Sequence, residues 1–194
     1  MQKIALIYMG GTFGCIGEPL IPMPEQAFLP LLEKIIPPHL QVECFAAPSI
    51  KDSSACTAVD WQQLIQQIQQ LQHNNYQYFV IIHGTDTLSY AAATLARFLG
   101  HSCHAIITGS QYPLLNVDGN DTREFTDALG NLYLALEQVL KLPEGVYLAF
   151  HQQVFHAQTT LKIHTTELVA FTGIPATQEC QTSANKFIVQ DKHI

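Results

Sequence analysis

The chain has 194 residues, 47% hydrophobic and 13% charged, enough apolar side chains for a sizeable core and too few charges for a disordered polymer. Nine Lys plus Arg stand against sixteen Asp plus Glu, a formal net charge of −7 with no basic run, which speaks against a nucleic-acid surface or an anionic-membrane surface. The five cysteines, at 15, 44, 56, 103 and 180, form no Cys-x-x-Cys pair, so neither a disulfide framework nor a zinc ribbon is indicated and a reducing, cytoplasmic setting is expected.

Lys3 to Met9 is a continuous apolar run that halts at Gly10-Gly11; it is too short for a signal peptide and reads as a strand buried on both faces. After a Gly- and Pro-rich stretch, Phe28, Leu31, Leu32, Ile35 and Ile36 recur at helical spacing until Pro37-Pro38. Gln41 to Ala46 is a second strand. Thr57 begins a helix with Trp61, Leu64, Ile65, Ile68 and Leu71 on one face and a glutamine-rich, solvated face opposite. Tyr78 to Ile82 is another buried strand, running into His83-Gly84-Thr85-Asp86-Thr87, where Asp86 or Thr87 is placed to cap a helix carrying Leu88, Ala92, Leu95 and Leu99. His104 to Thr108 is a strand ending at Gly109. Beyond a polar loop from Gln111 to Asp121, Phe125, Ala128, Leu129, Leu132, Leu136 and Val139 mark a helix, and Val146 to Phe150 is again a strand. The tail after Pro175 offers only Phe187 to Val189 as strand-like, and no run approaches the roughly 18 to 20 apolar residues of a membrane span.

This alternation predicts an α/β protein: a three-layer αβα fold with a doubly wound, mainly parallel sheet, Rossmann- or flavodoxin-like, with right-handed crossovers. No linker or repeat divides the chain, so residues 1–194 are expected to form a single domain. Neither Gly-x-Gly-x-x-Gly nor Gly-Lys-Ser/Thr occurs, which removes a dinucleotide fingerprint and a P-loop.

Ligands bind open parallel sheets beyond the carboxyl ends of the strands. Hydroxyls and acids collect there: Gly10-Gly11-Thr12, Asp52-Ser53-Ser54, Gly84-Thr85-Asp86 and Thr108-Gly109-Ser110. Acyl transfer by a threonine nucleophile suits these residues, provided that a base takes its proton. Thr85 beside Asp86, with a lysine delivered by the fold, would form such a relay, and Lys162 is the lysine best placed by topology. Each group also has a purely structural reading: Asp52-Ser53-Ser54 as a turn ahead of Thr57, Thr85-Asp86 as a helix cap. His101, Cys103 and His104 lack a fourth metal ligand at sensible spacing, and Cys15 shows no partner that would activate it.

Met9-Gly10-Gly11-Thr12-Phe13-Gly14 resembles the first signature of the L-asparaginase and glutaminase family, and His83-Gly84-Thr85-Asp86-Thr87-Leu88 resembles its second. Asp52-Ser53-Ser54 with Thr57 and Trp61, and Thr160-Leu161-Lys162-Ile163-His164 with Phe171, are similar to the substrate loop and lysine segment of its cytoplasmic, type I branch. The resemblance implies Thr12 as primary nucleophile, with Thr85, Lys162 and Asp86 as a second constellation. It also implies Asp86 on the α-ammonium of asparagine or aspartate, Ser53 with Asp52 and Ser54 on the α-carboxylate, Gly11 and Gly84 among the substrate-binding residues, and backbone N–H groups near Thr85 around the developing oxyanion. No metal or organic cofactor is implied. Two departures stand out: Leu20 falls where the family has an activating loop tyrosine, and the family's smaller C-terminal domain is expected to be absent. A homo-oligomer is expected to cover the surface that this domain would bury. Hydrolysis of asparagine is the leading expectation; an amino-acid-binding module or one part of an amidotransferase are the alternatives.

Overall fold

A computed structural model describes residues 2–179; the strand-like Phe187 to Val189 segment lies outside the described residues. In chain order the strands are β1 (Lys3–Tyr8), β2 (Cys15–Ile16), β3 (Ile21–Pro22), β4 (Gln41–Ala46), β5 (Tyr78–Ile82), β6 (His104–Thr108), β7 (Gly145–Phe150), β8 (Gln153–His156), β9 (Leu161–Lys162) and β10 (Phe171–Thr172). The helices are α1 (Glu25–Lys34), α2 (Ala58–His73), α3 (Leu88–Leu99) and α4 (Ala128–Val139). None of the described helices is long and apolar enough to cross a membrane.

Six strands form one sheet in the order β4-β1-β5-β6-β7-β8. The pairs from β4 through β7 are parallel, and β8 returns antiparallel to β7. Side chains alternate across the strands. Ala5, Ile7, Phe79, Ile81, Ala105 and Ile107 pack with α2 and α3, while Ile4, Leu6, Tyr8, Val80, Ile82 and Ile106 pack with α1 and α4. The result is a three-layer αβα sandwich, as the alternating pattern predicts. The chain moves from β1 outward to β4, then recrosses to β5 on the other side of β1. The sheet therefore reverses direction between β1 and β5, which is where such folds open a ligand crevice.

Several local expectations are corrected. α1 ends at Lys34, short of Ile36, because a residue ahead of proline is pushed out of helical geometry. Phe125 does not join α4: it is 61% exposed, with its ring edge-on to Tyr112. Asp127 precedes the helix without capping it, because its carboxylate accepts the Gln111 and Tyr112 N–H groups instead. Thr87, not Asp86, occupies the cap position of α3, yet its hydroxyl donates to Ser53 O at 2.8 Å. The glutamine face of α2 is only partly solvated, since Gln67 donates to Ala46 O at 2.9 Å. Strand β8, absent from the sequence reading, follows a turn at His151 and Gln152 with φ of +45° and +63°.

Candidate functional site

The site begins where β1 stops. Gly11 has φ +86°, and a Cβ there would stand 2.5 Å from Gly84 Cα, so only glycine allows the two loops to touch. Thr12 and Thr85 each follow this contact by one residue. A Cβ on Gly84 would in turn lie 2.6 Å from Ser53 Oγ, so the loops after β1, β4 and β5 nest against one another. Three of the strand ends read from the sequence thus converge.

The Asp52–Ser54 segment is a tight turn in which Asp52 Oδ1 accepts the Ser54 N–H at 3.1 Å. Its structural role and its place beside the site coexist: Ser53 is buried, and its Oγ accepts the Asp86 N–H at 3.1 Å. Ser53 keeps a hydroxyl proton to offer. Asp52 and Ser54 are exposed.

The β9–β10 hairpin brings Lys162 across from the far end of the described chain. Its Nζ lies 3.2 Å from Thr85 Oγ1 and 3.1 Å from Asp86 Oδ1. The Thr85 hydroxyl donates to Gln111 Oε1 at 3.3 Å, so it stands between a donor and an acceptor. Thr12, by contrast, is half-buried and its hydroxyl makes no hydrogen bond among the described residues. Leu20, 47% exposed, lies in the turn between β2 and β3.

Gln111 and His83 are the contributors that the spacing argument did not single out. Gln111 Nε2 donates to Thr165 O at 3.2 Å and to Glu167 O at 3.0 Å. With its backbone held by Asp127, it ties the Lys162 hairpin to Thr85. The signal for it in the sequence is its place next to the Thr108-Gly109-Ser110 strand end. His83 is buried; Trp61 Nε1–H donates to its Nε2 at 3.2 Å, which leaves the proton on Nδ1, 2.8 Å from Gly84 O. Fixing that carbonyl aims the Thr85 N–H the opposite way, because the peptide is planar and trans. Burial pushes the His83 pKa down.

Cys15 donates to Gly11 O at 3.5 Å, and burial raises its thiol, so it is a poor thiolate. His101 and His104 face Glu144 O and Leu142 O at the other end of the sheet. Among the described residues no group of three or more His, Cys, Asp or Glu could hold a metal ion.

Residues 3–194 match the family model described as asparaginase, N-terminal. L-asparaginase 1 of Escherichia coli strain K12 is 31% identical over 192 residues, covering 88% of this chain and 51% of that protein. The 60 kDa lysophospholipase of Mus musculus is 29% identical over 199 residues, covering 88% of this chain and 34% of that protein. Among solved structures, L-asparaginase I of Vibrio cholerae superposes with a TM-score of 0.73 at 29% identity, over 89% of this chain and 52% of that one. The chain thus spans about a third to about half of the length of these relatives.

Gly11→Ala combines a left-handed backbone with a backbone clash and should lower unfolding free energy by about 1–3 kcal/mol, measured by urea unfolding. The His83 ring gives a pH signature. Its folded pKa lies below the unfolded value of about 6.5, so the unfolded chain takes up a proton that the native state refuses. Stability should therefore fall as pH drops below about 6.5 and stay flat above it on this account, with a smaller fall in His83→Gln; thermal melts from pH 8 to 5 read the difference.

Proposed function

This chain belongs to the asparaginase family, and on that premise we propose that it hydrolyses L-asparagine to L-aspartate and ammonia through a threonine acyl-enzyme. The observation that carries the reading is the meeting of Lys162, Thr85 and Asp86 within 3.2 Å, from segments about 76 residues apart. Thr12 follows the glycine that touches Gly84, at the opening where the sheet reverses.

In this reading Thr12 Oγ1 adds to the side-chain amide carbon of asparagine, and the Thr12 proton passes to the departing nitrogen. The C–N bond breaks and ammonia leaves. Water then cleaves the Thr12 ester, releasing aspartate and returning the proton to Thr12. The Thr85–Lys162 pair handles proton transfer; an ammonium carries donors only, so Lys162 must shed a proton before it can accept one from Thr85. Asp86 holds the α-ammonium. Ser53 donates to the α-carboxylate with Asp52 and Ser54 alongside, and the Thr85 N–H that His83 orients meets the oxyanion. No cofactor enters the scheme. The exposed Leu161, Ile163, Val169 and Ile174 support self-association, and a cytoplasmic setting suits the four free cysteines among the described residues.

A second reading rests on Leu20, which has no proton to transfer: the site binds asparagine or aspartate without turning it over. Ammonia release from asparagine and glutamine decides between them. Hydrolysis predicts release from asparagine that falls by about a hundredfold or more in Thr12→Ala, Thr85→Val and Lys162→Met. Release that survives Thr12→Ala contradicts the proposed nucleophile. A folded chain without turnover, whose melting temperature aspartate raises, supports the binding module.

A further inference from the structure

The segment carrying Asp52, Ser53 and Ser54 is flanked on both sides by groups that converge on one carboxylate. Asp60, in the first turn of α2, is buried. Its Oδ2 accepts the Thr57 N–H at 2.7 Å and the Thr57 hydroxyl at 3.1 Å. Lys51 Nζ stands 3.1 Å from Oδ1 and 3.3 Å from Oδ2. Burial alone would raise the Asp60 carboxyl, but the Thr57 N–H, Ser49, Lys51 and the Thr57 hydroxyl hold it down at about 2.

The Thr57–Asp60 capping box is sufficient to start α2. Lys51 lies outside that box. It reaches Asp60 from the other end of the loop, so one buried charge closes residues 51–57 upon themselves. Across the loop, Ser53 is held by the Asp86 N–H and the Thr87 hydroxyl. Ser53 is therefore held between two fixed points, the Asp60 carboxylate and the turn that follows Thr85.

We propose that Lys51 and Asp60 form a clasp that positions Ser53 for the α-carboxylate of the amino-acid ligand. The inference rests on the reading of the site as an amino-acid site, and Lys51 and Asp60 act through the loop without touching the ligand. Lys51 is the more informative position to change, because it lies outside the capping box.

The test uses Lys51→Met, Lys51→Arg and Asp60→Asn in the full chain, with amide hydrogen exchange and aspartate titration on each. In Lys51→Met the Ser54, Ala55 and Cys56 amides should exchange about tenfold faster, while those of β5 exchange as in the wild type. The aspartate Kd and asparagine KM should rise about tenfold with kcat changed by less than about twofold, and Lys51→Arg should restore them. Asp60→Asn should show the same pattern more strongly; if it fails to fold, Lys51→Met carries the test alone. Wild-type exchange in Lys51→Met overturns the clasp, and faster exchange with unchanged aspartate affinity overturns its positioning role. A wild-type chain that does not bind aspartate sinks the amino-acid site itself, and the exchange measurement still decides whether the clasp holds the loop.

Discussion

The loop after β1 can touch the loop after β5 only because Gly11 carries no side chain, and the candidate site is built outward from that contact. In a doubly wound sheet the loops of the two strands at the reversal point leave toward opposite faces, and a crevice forms between them. Here the crevice is drawn tight. Gly11 lies against the Gly84 backbone, and Ser53 fills the space that a Gly84 side chain would take. The loops that carry Thr12, Ser53 and Thr85 therefore come from three crossovers yet meet at Gly11, Gly84 and Ser53, set by backbone packing before any polar interaction is formed.

The polar groups then divide the work unequally. Thr85 is committed, with Lys162 on one side of its hydroxyl and Gln111 on the other, whereas the Thr12 hydroxyl has no partner among the described residues. The Lys162–Asp86 pair is not a source of much stability, because the Asp86 side chain is 59% exposed and water screens it. Its value is positional. The hairpin that carries Lys162 has only two residues in each strand, too few to hold themselves. Gln111 supplies the missing ties through the Thr165 and Glu167 carbonyls. Asp127 and Asp60 play parallel parts: each is an acid beside a helix start whose carboxylate anchors a loop of the site.

Much of the fold was legible because β1, β5, β6 and β7 are apolar on both faces and stop at glycine or polar residues, while β4, with Gln41 and Glu43, is a half-buried strand between Pro38 and Pro48. Their expected limits differ from the observed ones by no more than a residue. β8 was not legible, since Gln153–His156 is short, edge-facing and only partly buried. Phe125 misled because it extends the helical spacing of Ala128, Leu132 and Leu136 while lying in the loop. The candidates Thr12, Ser53, Thr85, Asp86 and Lys162 were read from motifs, and of these the last four are joined by hydrogen bonds in the structure. Gln111 and Lys51 escaped because their partners are carbonyls or charges set by tertiary structure, which leave no periodicity in the chain.

In the proposed hydrolysis the substrate acyl group passes through a covalent ester on Thr12. Rapid acid quenching of the protein during exposure to asparagine, followed by intact mass and peptide mapping, tests it most directly. The account predicts an aspartyl adduct on the peptide that contains Thr12. Ammonia release accompanied by an adduct on the Thr85 peptide, or by none on either threonine, would contradict it.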